Sequence, residues 1–145
     1  MTAQRANHQK QAILILEVVP GLMKMFRQEM RKFGSDQLTV PQFRVLNRIA
    51  KGSCSNQELA DWMGVSAPTM SKMLDSLIQK NLITRKTEAT NRRQVVVDCT
   101  FDGKKISQEI QQAMQNDLIA RISKIPEPQM KMVESGLMIL RENLL

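Results

Sequence analysis

The side chains able to take part in chemistry are few, and most of them are cations. The chain has one histidine, His8, and no tyrosine. It has no glycine-rich phosphate loop, no nucleophile elbow and no Cys/His spacing suited to a metal. Neither an enzyme nor a protein with a bound cofactor or metal is expected. What stands out is a run of charge from Ser66 to Arg93, where Lys72, Lys80, Arg85, Lys86, Arg92 and Arg93 face only Asp75 and Glu88. Cations gathered in this way bind anions, and nucleic acid is the leading candidate. The composition agrees: 21 Lys and Arg against 14 Asp and Glu give a formal charge of +7 and a pI near 9.8. More than half of that net charge sits in this one stretch.

The 145 residues suffice for one domain with a hydrophobic core, and are too few for two of ordinary size. No Pro/Gly/Ser linker or internal repeat divides them. No apolar run is long enough to cross a bilayer, and no signal peptide is recognisable at the N-terminus. Two cysteines, Cys54 and Cys99, are too few for a disulfide scaffold. A cytoplasmic protein without membrane partners is expected.

The elements that must position the cations are marked by caps and by apolar periodicity. Ile15, Val19, Leu22, Phe26, Met30 and Phe33 define one face of a first helix, with a kink or short break expected at Pro20-Gly21. Thr39 and Gln42 form a capping box that opens a second helix carrying Phe43, Leu46 and Ala50 and ending near Gly52. Ser55 and Glu58 form another, opening a short helix that Gly64 terminates. Ser66 then caps a helix with Met70, Leu74, Leu77 and Asn81 as its stripe. Two short capped helices around a tight glycine turn are the signature of a helix-turn-helix.

After Asn81 the period changes. Residues 82–86 and 94–99 favour strand, with a polar tip at 87–93 between them, which reads as a hairpin. Thr100 caps a long helix carrying Ile106, Ile110, Met114, Leu118, Ile122 and Ile125. A last helix enters through Pro126-Glu127-Pro128 and carries Met130, Val133, Leu137, Leu140 and Leu144. The expected fold class is therefore mainly α with a small β-hairpin wing, a winged helix-turn-helix flanked by long helices.

With Met70, Leu74 and Leu77 inward, the helix from Ser66 presents Ala67, Pro68, Ser71 and Lys72. Small and polar residues there allow close approach to base edges in a major groove, where Lys reaches guanine acceptors and a small apolar group meets a thymine methyl. Ser66 and Thr69 offer hydroxyls to phosphate beside the helix N-terminus. Arg85 and Lys86 extend the basic surface along the first hairpin strand. Arg92 and Arg93 at the hairpin tip are placed for a minor groove, whose negative potential attracts arginine.

In the order and spacing of these pieces the chain resembles the MarR family of regulators. The most specific parts are Gln57-Glu58-Leu59-Ala60, the helix from Ser66 to Leu77, Asn81-Leu82-Ile83-Thr84-Arg85, Asn91-Arg92-Arg93 with Val95-Val96-Val97, and Thr100-Phe101-Asp102-Gly103. The likeness implies a homodimer built on helices within 8–34 and 101–145, with a DNA-binding lobe at 38–100. It implies a transcriptional regulator of double-stranded DNA, by default a repressor on a pseudo-palindromic operator. It further implies a small aromatic or phenolic effector between the dimer helices and the lobe, for which Met23, Met25, Met30, Met114, Met130, Met132 and Met138 could form an adaptable lining. The family usually has Asp where this chain has Asn91, which leaves open which arginine enters the groove. Two alternatives accompany this reading. One is a winged-helix module for protein contacts, which should lack the basic face. The other is a redox-responsive regulator linking Cys54 and Cys99, which a winged helix places on neighbouring strands.

Overall fold

A computed structural model describes residues 2–33, 38–87 and 95–145. Helix α1 (Thr2–Arg31) passes through Pro20 without a break. Pro20 lacks the N–H that would bond the residue 16 carbonyl, and its ring crowds that carbonyl, which kinks or breaks a helix interior. The short break is absent, and Leu16, whose carbonyl loses that bond, is exposed.

Helix α2 (Val40–Ala50) begins at the reciprocal Thr39/Gln42 capping box and buries Val40, Phe43, Val45, Leu46 and Ile49. Strand β1 (Cys54–Ser55) leads directly into α3 (Asn56–Met63), opened by the Ser55/Glu58 box. Helix α4 (Ala67–Gln79) follows, then β2 (Ile83–Thr87), β3 (Val95–Cys99), α5 (Phe101–Ile122) and α6 (Glu127–Leu144). The stripe of α4 is Met70, Leu74 and Leu77, all buried. Asn81 is not part of it: the helix has ended, and Asn81 takes a left-handed φ of 57°. Asn tolerates that conformation better than most residues, and here it turns the chain from α4 into β2.

The three strands form an antiparallel sheet in the order β1-β3-β2. Cys54 lies opposite Val97, and Ile83 opposite Cys99. The core joins this sheet to the helices: Leu46, Ile49, Leu59, Met70, Leu77, Ile83 and Ile110 are almost completely buried, with Met30 of α1 at the edge. Burial of such side chains contributes roughly 1.5–3 kcal/mol each, and this is what holds α4 in place.

Helix α5 is locked to the sheet at its first turn. Thr100 caps it through the Gly103 N–H, while its hydroxyl reaches the carbonyls of Asn81 and Leu82 at 2.8 and 3.0 Å. The Leu82 carbonyl and Cys99 Sγ crowd Gly103 so closely that a Cβ has no room there. Further along, Glu29 of α1, largely buried, pairs with Lys32 at 2.5 Å, and Asp117 pairs with Arg121 at 2.8 Å on α5. Helix α6 buries none of its residues, leaving Met132, Val133, Leu137, Met138, Ile139 and Leu144 exposed.

Candidate nucleic-acid interface

The site grows from a single turn. Gly64 adopts φ 68° at the end of α3, which costs glycine little because it has no Cβ. The N–H groups of Gly64 and Val65 close on the carbonyls of Asp61 and Ala60. Ser66 then sits extended at the start of α4, its Oγ accepting from the Thr69 N–H at 3.3 Å and lying 2.8 Å from the Thr69 hydroxyl. Pro68 has no N–H and that of Thr69 is taken by Ser66, so Ala67 holds the one uncommitted N–H among the first three helical residues. This helix end is a narrower anion site than four free donors would make.

On the outward side of α4, Pro68, Thr69, Lys72 and Asp75 are exposed, and Ala67 and Ser71 are half-buried. The start of the helix is braced by Asn56, whose amide donates to the Ala67 carbonyl at 3.3 Å. The other end of that amide, Asn56 Oδ1, is the one buried side-chain polar atom without a partner among the described residues. Sequence reasoning passed over Asn56; its place directly after a capping Ser was the available signal.

Arg85 and Lys86 are exposed on β2, but each is already engaged. Arg85 pairs with Asp75 of α4, and Lys86 with Asp98 of β3, both at 2.5 Å. The Lys86 ammonium, and then the Cys99 N–H, hold the Asp98 carboxyl below its ordinary range. Asp98 lies outside the charged run read from the sequence, so the net positive charge around the wing base is smaller than that run suggests. Lys72 makes no ion pair with a described residue. Arg92 and Arg93, with Asn91, lie outside the described residues.

Cys54 and Cys99 are free and buried. They occupy neighbouring strands but are diagonal in register, since Cys54 faces Val97. Diagonal strand neighbours are about 7–8 Å apart, beyond the usual reach of a disulfide. Cys54 Sγ donates to the Gly52 carbonyl and Cys99 Sγ to the Leu82 carbonyl, on opposite flanks of β3. Burial pushes both thiols above their usual range. Protonated, buried thiols are slow nucleophiles.

Between α1 and α2 lies a half-open cavity of about 350 Å³ lined by Met23, Met30, Leu38 and Val40, with Arg27, Arg31 and Arg44 at its margin. Of the methionines expected at a lining, Met23 and Met30 are present. Met130 and Met138 instead line an outer groove of α6.

A three-stranded sheet behind two short helices, with α4 presented outward, defines a winged helix-turn-helix protein. Residues 38–95 match the model of the MarR family. Solved structures agree on the fold along nearly the whole chain. A MarR family protein from Bacillus stearothermophilus is 19% identical, with a TM-score of 0.85 over 99% of each chain. Streptococcus pneumoniae FabT in complex with DNA is 18% identical, with a TM-score of 0.80 over 94% of this chain and 96% of that one. The transcriptional regulator BldR from Sulfolobus solfataricus is 22% identical, with a TM-score of 0.74 over 98% and 99%. No curated protein matches the sequence.

Proposed function

We propose that this protein is a sequence-specific regulator of transcription that binds double-stranded DNA as a homodimer, without catalytic activity. The observation that carries the proposal is the outward face of α4. Pro68, Thr69 and Lys72 are exposed on a helix whose other side is anchored by Met70, Leu74 and Leu77. Small residues with one unpaired cation suit base-edge contact in a major groove, with Ser66, Ala67, Thr69 and Ser71 on flanking phosphates and bases. Arg85 and Lys86 at the wing base, and Arg92 and Arg93 beyond it, serve the adjacent backbone and minor groove. The match to the MarR family, and a structural neighbour seen with DNA, support this reading.

Dimerisation rests on the apolar surface that one protomer leaves uncovered. Ile13, Leu14, Leu16 and Val18 on α1 and Leu137 and Ile139 on α6 are exposed, and exposed apolar patches of this kind mark protein–protein contact sites. We assign residues 8–34 and 101–145 to the dimer and 38–100 to the DNA-binding lobe. Repression, by occupying a promoter, is the default consequence in a cytoplasmic setting; no helix among the described residues is long and apolar enough to cross a membrane. The cavity between α1 and α2 joins the two parts and is the place where a small effector would release DNA. Hydroxyl-radical footprinting on the protein's own upstream DNA tests the reading. Two protected patches about 10–10.5 bp apart are expected from two-fold symmetry, and a footprint on one half-site alone would remove the dimer from the proposal.

A further inference from the structure

A second cationic surface lies on the far side of the lobe. Arg44, Arg48 and Lys51 are all exposed and recur at steps of four and three along α2, so they share one face. Gln42 marks the side of α2 that meets the recognition helix, since its amide donates to Ser76 of α4 at 3.0 Å. At 100° per residue, Arg44, Arg48 and Lys51 lie on the opposite side of α2 from Gln42. A duplex seated on α4 therefore leaves this surface open.

Like charges at such spacing destabilise a helix, and no ion pair with a described residue offsets them. The carboxylate that Arg48 influences, Glu58, is already taken by the Ser55 N–H at 2.7 Å. Beside the cations stands Trp62 of α3, the chain's only tryptophan, 45% exposed. The Arg44 guanidinium lies 5.3 Å from the centre of its ring. Asn47 accepts from Ser107 through Oδ1, which leaves its amide N–H groups for an outside carbonyl. Together with Phe43 these residues line a shallow groove of about 160 Å³. That is below the roughly 300–1,000 Å³ of small-molecule sites, and has room for one side chain of a larger partner.

We infer that the Arg44–Arg48–Lys51–Trp62 surface docks an acidic segment of a partner protein, carboxylates on the three cations and one apolar side chain against Trp62. Trp and Arg are the residues most enriched in binding hot spots. A duplex backbone would use the cations but has no use for an exposed tryptophan, which favours the peptide.

Because there is no second tryptophan and no tyrosine, intrinsic emission reports on this site alone. The full-length protein is titrated with a short synthetic peptide of Asp and Glu around one central Leu, and with its Lys counterpart. A saturable change in Trp62 emission with the acidic peptide only is expected. Affinity should fall about tenfold or more in Arg48→Glu/Lys51→Glu, while operator binding stays unchanged. Lys51→Glu alone, at the end of α2, provides the same comparison, with a smaller loss, if the double variant does not fold. Absence of a saturable change, or a change that both variants retain, would overturn the proposal. So would operator binding that the charge reversals abolish, which would make this a nucleic-acid surface.

Discussion

A methyl group at Gly103 would collide with the Leu82 carbonyl and press on Cys99 Sγ. Backbone cannot yield as a flexible side chain does, so Gly103→Ala should lower stability by about 1–3 kcal/mol. The check is a drop in urea midpoint at unchanged m-value. At the interface, Lys72→Ala should cost about 1–3 kcal/mol at the preferred operator and less at mismatched sites; equal losses everywhere would make Lys72 a phosphate contact. Asp75 acts in the opposite direction, because it holds Arg85 and places a carboxylate on the face proposed to meet DNA. Asp75→Asn should therefore tighten binding and steepen its dependence on log salt by about one. These ion pairs were not legible in the sequence. Asp75 and Arg85 are ten residues apart and belong to different elements, and Asp98 lies beyond the polar tip, so one-dimensional charge counting could not assign either acid to its cation.

The elements themselves were legible where local chemistry decides them. Thr39 with Gln42, Ser55 with Glu58, Ser66 and Thr100 all cap as their types and spacing require, and Gly64 makes the turn. Sequence reasoning failed where tertiary context decides. No short break interrupts α1 at Pro20, and Asn81 leaves the helical stripe to turn the chain. The register that separates the two thiols depends on how β1 meets β3, a choice invisible in either strand alone. At this scale the wing base carries a pH dependence. Asp98 has a folded carboxyl held below the usual 3.8, so its contribution is present above that value and is lost as the pH falls through the lower folded one. Wild type should lose stability more steeply than Asp98→Asn below about pH 4, in acid titrations followed by circular dichroism; parallel curves would show that the Lys86 pair contributes nothing.

For the whole molecule, the proposed homodimer rests on faces that the single chain leaves exposed. A helix with no buried residue has little reason to remain folded in water on its own, and α6 exposes 60% of both Leu137 and Ile139. Val133→Glu/Leu137→Glu should shift the sedimenting mass from twice the 16.5 kDa protomer to the protomer itself, and operator affinity should fall with it. A dimer that survives both charges would place the interface elsewhere. The sequence announced these apolar faces but not what covers them, because periodicity reports a face and never its partner.

Sequence-specific recognition of duplex DNA through α4 is tested most directly by fluorescence anisotropy of the purified protein on duplexes from its own upstream region and on scrambled duplexes, at two salt concentrations. A preference of about a thousandfold or more, steep in salt and saturating at one dimer per site, is the expected result. Weak and equal binding to every duplex would contradict it and leave only the attraction of a basic surface for a polyanion.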